Sequence, residues 1–116
     1  HNLKIAEHAG AQVEELRAVG GSANSLLWTQ IKADVTGKRI VVPSSDTATP
    51  LGAAILAGVG TGVYRSFQEA VEQTVKITRI HEPNPQAHET YERYYERYLE
   101  LYDSLKALMK KTGGSQ

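Results

Sequence analysis

The chain has 116 residues, about one domain's worth, and 41% of them are hydrophobic, enough for a packed core. Lys plus Arg (13) equals Asp plus Glu (13), so the formal net charge is zero and no basic surface supports non-specific nucleic-acid binding. With no cysteine there is neither a disulfide framework nor a thiolate zinc site, and no apolar run reaches the roughly 18 residues that suggest a membrane span.

The absence of cysteine is compatible with a reducing cytosol. The opening His1-Asn2-Leu3 is neither an initiator Met nor a signal peptide. It suggests a piece of a longer chain, and residues 113–116 read as a flexible tail. Leu3 to Ala9 reads as a short helix stopped by Gly10. Val13 to Val19 reads as a first strand with Val13, Leu16 and Val19 as its apolar positions. Gly20 and Gly21 then allow a sharp turn and a close approach to the backbone. Ser22, Asn24 and Ser25 are all candidate N-caps for the helix that follows. A helix N-terminus leaves N–H groups unpaired and carries partial positive charge. Strand, glycine turn and helix start together make a nucleotide or anion seat, or else a bare turn with no ligand.

From about Ser25 to Thr36 the pattern is helical. Leu27, Ile31 and Val35 recur every four residues and would share one face, with Trp28 beside it. Gly37 suits the stop. Ile40-Val41-Val42 is a β-branched run typical of a buried strand, and Pro43 ends its ladder. After the polar loop 44–49, Thr49 is placed as N-cap and Pro50 at the first helical position. The helix Leu51–Gly58 is built from small and aliphatic residues and packs closely on a neighbour, since Gly52 is otherwise costly. Gly58, Gly60 and Gly62 give a flexible exit, with Val63 and Tyr64 returning to the core. Ser66-Phe67-Gln68-Glu69 matches a capping box, and its helix, to about Gln73, would bury Phe67, Ala70 and Val71. Val75 to His81 reads as an edge strand broken by Glu82-Pro83. Asn84-Pro85 starts the longest helix, to about Lys111. Tyr91, Tyr94, Tyr95, Tyr98, Tyr102, Leu105 and Met109 form an amphipathic docking stripe along it. Alternating strands and helices indicate an α/β layered fold.

Standard catalytic groups find little support. His1, His8, His81 and His88 form no metal motif and read as ordinary surface histidines. Ser22, Ser25, Ser44 and Ser45 have no His-Asp arrangement beside them. Asp34 and Asp46 read as solvated helix-end and turn acids. The P-loop spacing with its Gly-Lys-Ser/Thr is absent.

Residues 20–37, from Gly20-Gly21-Ser22-Ala23-Asn24-Ser25 through Trp28, Gln30 and Ala33-Asp34, resemble the adenosine motif of the FGGY carbohydrate kinases. The Ile40–Pro43 strand, the Leu51-Gly52-Ala53-Ala54 helix and the long terminal helix follow as in that family, its xylulokinase-like members above all. The resemblance implies part of an actin/hexokinase-like (ribonuclease H-like) ATPase domain. Residues 1–112 would be the later part of the C-terminal domain, which holds ATP, while a missing N-terminal domain holds the sugar. Gly21 and Ser25 match positions on the adenosine and phosphate side of ATP, and Gly20, Ser22 and Asn24 line the same turn. Gly52 and Ala53 would let their helix pack tightly beneath the nucleotide layer. Two departures stand out: Ser22 replaces the third glycine of the common pattern, and Asn24 replaces a frequent Lys or Arg.

The function implied is transfer of the ATP γ-phosphate to a hydroxyl of a sugar or polyol such as xylulose, with Mg2+ bridging phosphate oxygens, in the cytoplasm. The family's catalytic base is an aspartate of the N-terminal domain. Neither Asp34 nor Asp46 matches it, so no catalytic or metal residue is assigned here and the chain alone is expected to be inactive. The partners implied are ATP, a sugar or polyol and the missing domain, without nucleic acid or membrane. An apolar face left by the absent portion would favour a homodimer. The alternative is a non-catalytic module docking through the tyrosine helix.

Overall fold

The computed structural model describes residues 1–44 and 47–112, the side chain of Thr112 apart. It is a mixed α/β arrangement around one three-stranded sheet in the order β1-β2-β3. The short helix α1 spans Asn2–His8, and Gly10 with φ 97° turns the chain out of it. Lys38 holds Glu7 at 2.6 Å and Lys4 holds Glu92 at 2.6 Å, which fastens α1 to the rest.

The first strand is shorter than the sequence suggests. β1 covers Glu15–Arg17, and β2 covers Arg39–Pro43. The two run parallel, with Leu16 opposite Ile40 and Arg17 opposite Val41. Val13 and Val19 lie outside the ladder because only three residues of β1 find partners on β2. Ile40, Val41 and Val42 are buried, so β2 is the centre of the core, as its β-branched run predicts. β3, Ile77–His81, lies antiparallel on the other side of β2 and is an edge strand as expected. The register shifts between Val42 and Pro43, where proline has no N–H to continue the ladder.

Between β1 and β2 runs α2, Leu26–Thr36, closed by Gly37 in the left-handed region at φ 64°. Its buried face is Thr29, Ala33 and Asp34, not the expected Leu27-Ile31-Val35 stripe. Leu27 is 72% and Val35 42% exposed. Small side chains let α2 approach the sheet and the terminal helix closely. The aliphatic stripe is thereby turned outward.

α3 spans Ala48–Gly60 with Thr47 as N-cap. It starts two residues before the expected Thr49, so Thr49 and Pro50 fall inside its first turn. Proline is tolerated there because first-turn N–H groups have no helical acceptor. The helix also runs through Gly58 to Gly60, and the chain reverses at Gly62, φ 78°. No α3 residue is fully buried. A Cβ at Gly52 would meet nothing within 4 Å, whereas one at Gly58 would lie 2.7 Å from the Tyr64 ring. The close packing expected at Gly52 and Ala53 is therefore found at Gly58 instead. Tyr64 returns to the fold, but Val63 is 71% exposed.

α4, Phe67–Thr74, starts at the predicted capping box. Ser66 Oγ accepts the Glu69 N–H at 3.1 Å, and Glu69 Oε2 accepts the N–H of Arg65 at 2.8 Å, one residue earlier than the usual reciprocal bond. Ala70 is buried, while Phe67 and Val71 are not; α4 packs chiefly on α3. α5, Pro85–Thr112, is capped by Asn84, whose Oδ1 accepts the N–H groups of Gln86 and Ala87 at 3.0 and 3.1 Å. Its first half packs on α2. Tyr91 and Tyr95 are half-buried, but Tyr94, Tyr98, Tyr102, Leu105 and Met109 are exposed.

Candidate nucleotide site

The parallel pair β1 and β2 delivers its carboxyl ends to one side of the sheet, the side where open α/β sheets bind ligands. The glycine turn leaves β1 there. Gly20 has φ 82° and ψ 177°, a backbone state that needs glycine. Residues Gly21–Asn24 then form one 3-10 turn, closed by the Ala23 N–H on the Gly20 carbonyl at 2.9 Å. Ala23 is buried and anchors the turn. Its carbonyl accepts a hydrogen bond from Arg79 Nη2, which reaches across from β3.

Of the three candidate caps, Ser25 is the one that caps α2. Its backbone is extended (φ −77°, ψ 114°) and its Oγ accepts the Trp28 N–H at 3.2 Å. Ser22 and Asn24 belong to the 3-10 turn instead. Gly21, Ser22, Asn24 and Ser25 are exposed on one corner, and Gly20 is half-buried behind them. A Cβ built on Gly20 or Gly21 would meet no atom within 4 Å. Among the described residues nothing stands against the Gly20 and Gly21 positions, and the 11-residue helix α2 starts at that corner, where a helix carries its unpaired N–H groups.

Beside the turn is an apolar hollow of about 180 Å³, lined by Arg17, Val19, Pro43, Leu51, Gly52 and Ile55 among others. Val19 immediately precedes Gly20, so hollow and turn adjoin. Sequence reasoning missed it, because its walls come from segments about thirty residues apart that only the β1–β2 pairing brings together.

The other candidates are relocated. Asp34 is buried, not solvated: its Oδ1 accepts Gln30 Nε2 at 2.9 Å and the Asn84 N–H at 2.8 Å. Asp46 lies outside the described residues. His81 is likewise buried, with Nδ1 donating to Gln30 Oε1 at 3.1 Å and Nε2 lacking a partner. His88 is half-buried and its Nδ1 donates to the Asp34 carbonyl at 2.8 Å. Among the described residues no three His, Cys, Asp or Glu side chains come together as a metal site, and no helix is long and apolar enough to cross a membrane.

Comparison with known proteins gives the family and the fold. Residues 1–61 match the model of the FGGY family of carbohydrate kinases, C-terminal domain. The chain is 42% identical to an autoinducer-2 kinase of Salmonella paratyphi B, over 91% of its own length and 20% of that protein's. It is 34% identical to a xylulose kinase of Staphylococcus epidermidis, over 92% of this chain and 22% of the relative. In three dimensions it superposes on the crystal structure of a gluconate kinase from Lactobacillus acidophilus with a TM-score of 0.80 at 24% identity, covering 90% of this chain and 21% of that one. The chain thus spans about a fifth of the length of the curated relatives it matches. Its fold is part of the actin/hexokinase-like ATPase fold of those sugar kinases. The chain belongs to the FGGY family of carbohydrate kinases, as part of its C-terminal domain.

Proposed function

We propose that this chain forms the ATP side of a sugar kinase that transfers the γ-phosphate to a hydroxyl of a sugar or polyol. The observation that carries this reading is the open corner at Gly21, next to the N-terminus of α2. In the proposal, Gly20 and Gly21 offer bare backbone to the nucleotide. Ser22, Asn24 and Ser25 supply the polar rim of the same turn. Phosphoryl transfer rests on positioning and charge stabilisation rather than on covalent chemistry by the protein. This chain's contribution is to hold and orient the donor. The acceptor and the base that activates it belong to other polypeptide.

The residues present fit a nucleotide, since among the described residues no atom lies within 4 Å of a Cβ built on Gly21. Among the described residues no group of three or more His, Cys, Asp or Glu side chains is assembled. Mg2+ is commonly held by phosphate oxygens with one or two carboxylates, and no ligand for it is assigned here. The relatives are named for three different acceptors, autoinducer-2, xylulose and gluconate. The acceptor proposed is the class of sugars and polyols, of which xylulose is one example. The exposed second half of α5 favours a docking role as well. The two readings are compatible, with α5 seating the chain on further polypeptide or on a second copy.

The single tryptophan, Trp28, is 48% exposed and lies three residues beyond Ser25. ATP is expected to change its fluorescence saturably, and Gly21→Val is expected to abolish the change while leaving the circular dichroism intact. An unresponsive Trp28, or a Gly21→Val chain that responds like the original, would contradict the proposal. In a coupled assay with ATP, Mg2+ and xylulose the chain alone is expected to show no turnover.

A further inference from the structure

We propose that Arg79 is the positioning residue of the nucleotide turn, a role that rests on the ATP reading above. Three backbone carbonyls on and flanking the turn have identified partners. The Gly20 carbonyl is taken by the Ala23 N–H, and the Ser25 carbonyl by the N–H and hydroxyl of Thr29. The Ala23 carbonyl is taken by Arg79 Nη2. The first two bonds are local and travel with the turn wherever it moves. The Arg79 bond is different, because it comes from another element 56 residues away.

Its base is rigid. Arg79 lies opposite Val42 in the β2–β3 register, and Thr78 Oγ1 donates to the Val42 carbonyl at 3.0 Å beside it. Arg79 therefore ties the turn to β3, which pairs with β2, the most buried strand of the sheet. No carboxylate within the described residues forms an ion pair with its guanidinium. A charged donor on a neutral carbonyl makes a stronger bond than a neutral one. No carboxylate among the described residues offsets that charge, which sits on the turn where phosphate oxygens are expected. Arg79 thus fixes the direction of the turn's amides and adds to the field that an anion meets, without touching the ligand.

Calorimetric titration of ATP into the chain tests this. Arg79→Ala is expected to weaken ATP binding about tenfold. Arg79→Lys, which keeps charge and a donor, is expected to recover most of the loss. Should Arg79→Ala fail to fold, the guanidinium resonance of Arg79 in the unmodified chain serves instead and is expected to shift on ATP addition. Unchanged ATP affinity in Arg79→Ala, or a guanidinium signal indifferent to bound ATP, overturns the role of Arg79 while the ATP reading stands. An unmodified chain that takes up no ATP overturns both, so the two failures are distinguishable.

Discussion

The carboxylate of Asp34 accepts the backbone N–H of Asn84 at 2.8 Å, and so ties the last turn of α2 to the first turn of α5. The same oxygen accepts Gln30 Nε2 at 2.9 Å, and that amide also donates to the Glu82 carbonyl at 2.9 Å. Asp34, itself buried, is thus the hub of a part-buried polar knot joining α2, the residue after β3 and the start of α5. Removing it takes the acceptor from the Asn84 N–H and one of the two acceptors from Gln30 Nε2. Asp34→Ala is predicted to lower the unfolding free energy by about 2–3 kcal/mol, with Asp34→Asn costing less because an acceptor remains. Chemical denaturation measures this, and an unmoved midpoint in Asp34→Ala would refute it.

Gly37 closes α2 at φ 64°, and a Cβ there would lie 2.7 Å from the His88 ring. Alanine meets two costs, backbone strain and displacement of His88 from the Asp34 carbonyl. Gly37→Ala is predicted to destabilise the chain by about 1–3 kcal/mol, read from thermal or urea unfolding. A neutral substitution would show that the ring moves aside freely and that the helix stop is not strained.

Gly20 and Gly21 are adjacent but glycine for different reasons. Gly20 is held at φ 82°, whereas Gly21 has no positive φ and no neighbour within 4 Å of a Cβ. Gly20→Ala is predicted to cost about 1 kcal/mol of stability. Gly21→Ala is predicted to stay within about 0.5 kcal/mol of the original. Paired melting curves test the contrast. Equal losses would mean that Gly21 is needed by the fold itself.

What the sequence made legible follows from how local each signal is. The capping box at Ser66–Glu69, the Asn84 cap, the Gly37 stop and the Ile40–Val42 strand depend on neighbours within a few residues, and all are found. The glycine turn was legible for the same reason. Burial was not. Leu27, Val35, Phe67 and Val71 have the right spacing but are exposed, because nothing in the described residues covers them. Asp34, His81 and Arg79 were missed as structural groups because their partners lie 50 to 56 residues away. Charge in a sequence reads as surface until the element that buries it is known.

The uncovered apolar residues give a prediction of their own. Leu27 on α2 and Leu56 on α3 are more than half exposed, and apolar surface of this kind promotes association. The double change Leu27→Ser and Leu56→Ser is predicted to reduce concentration-dependent association in sedimentation velocity while shifting the melting temperature little. Unaltered association would move attention to the exposed seam of α5 from Tyr98 to Met109.

The central claim is that the corner at Gly20–Ser25 holds the phosphoryl donor. Its most direct test is ATP titration of the 15N-labelled chain, followed residue by residue. The account predicts saturable amide shifts at Gly20, Gly21, Ser22, Asn24, Ser25 and Trp28, with Tyr91 to Tyr98 on α5 unmoved. Shifts confined to α5, or none anywhere at saturating ATP, would contradict it.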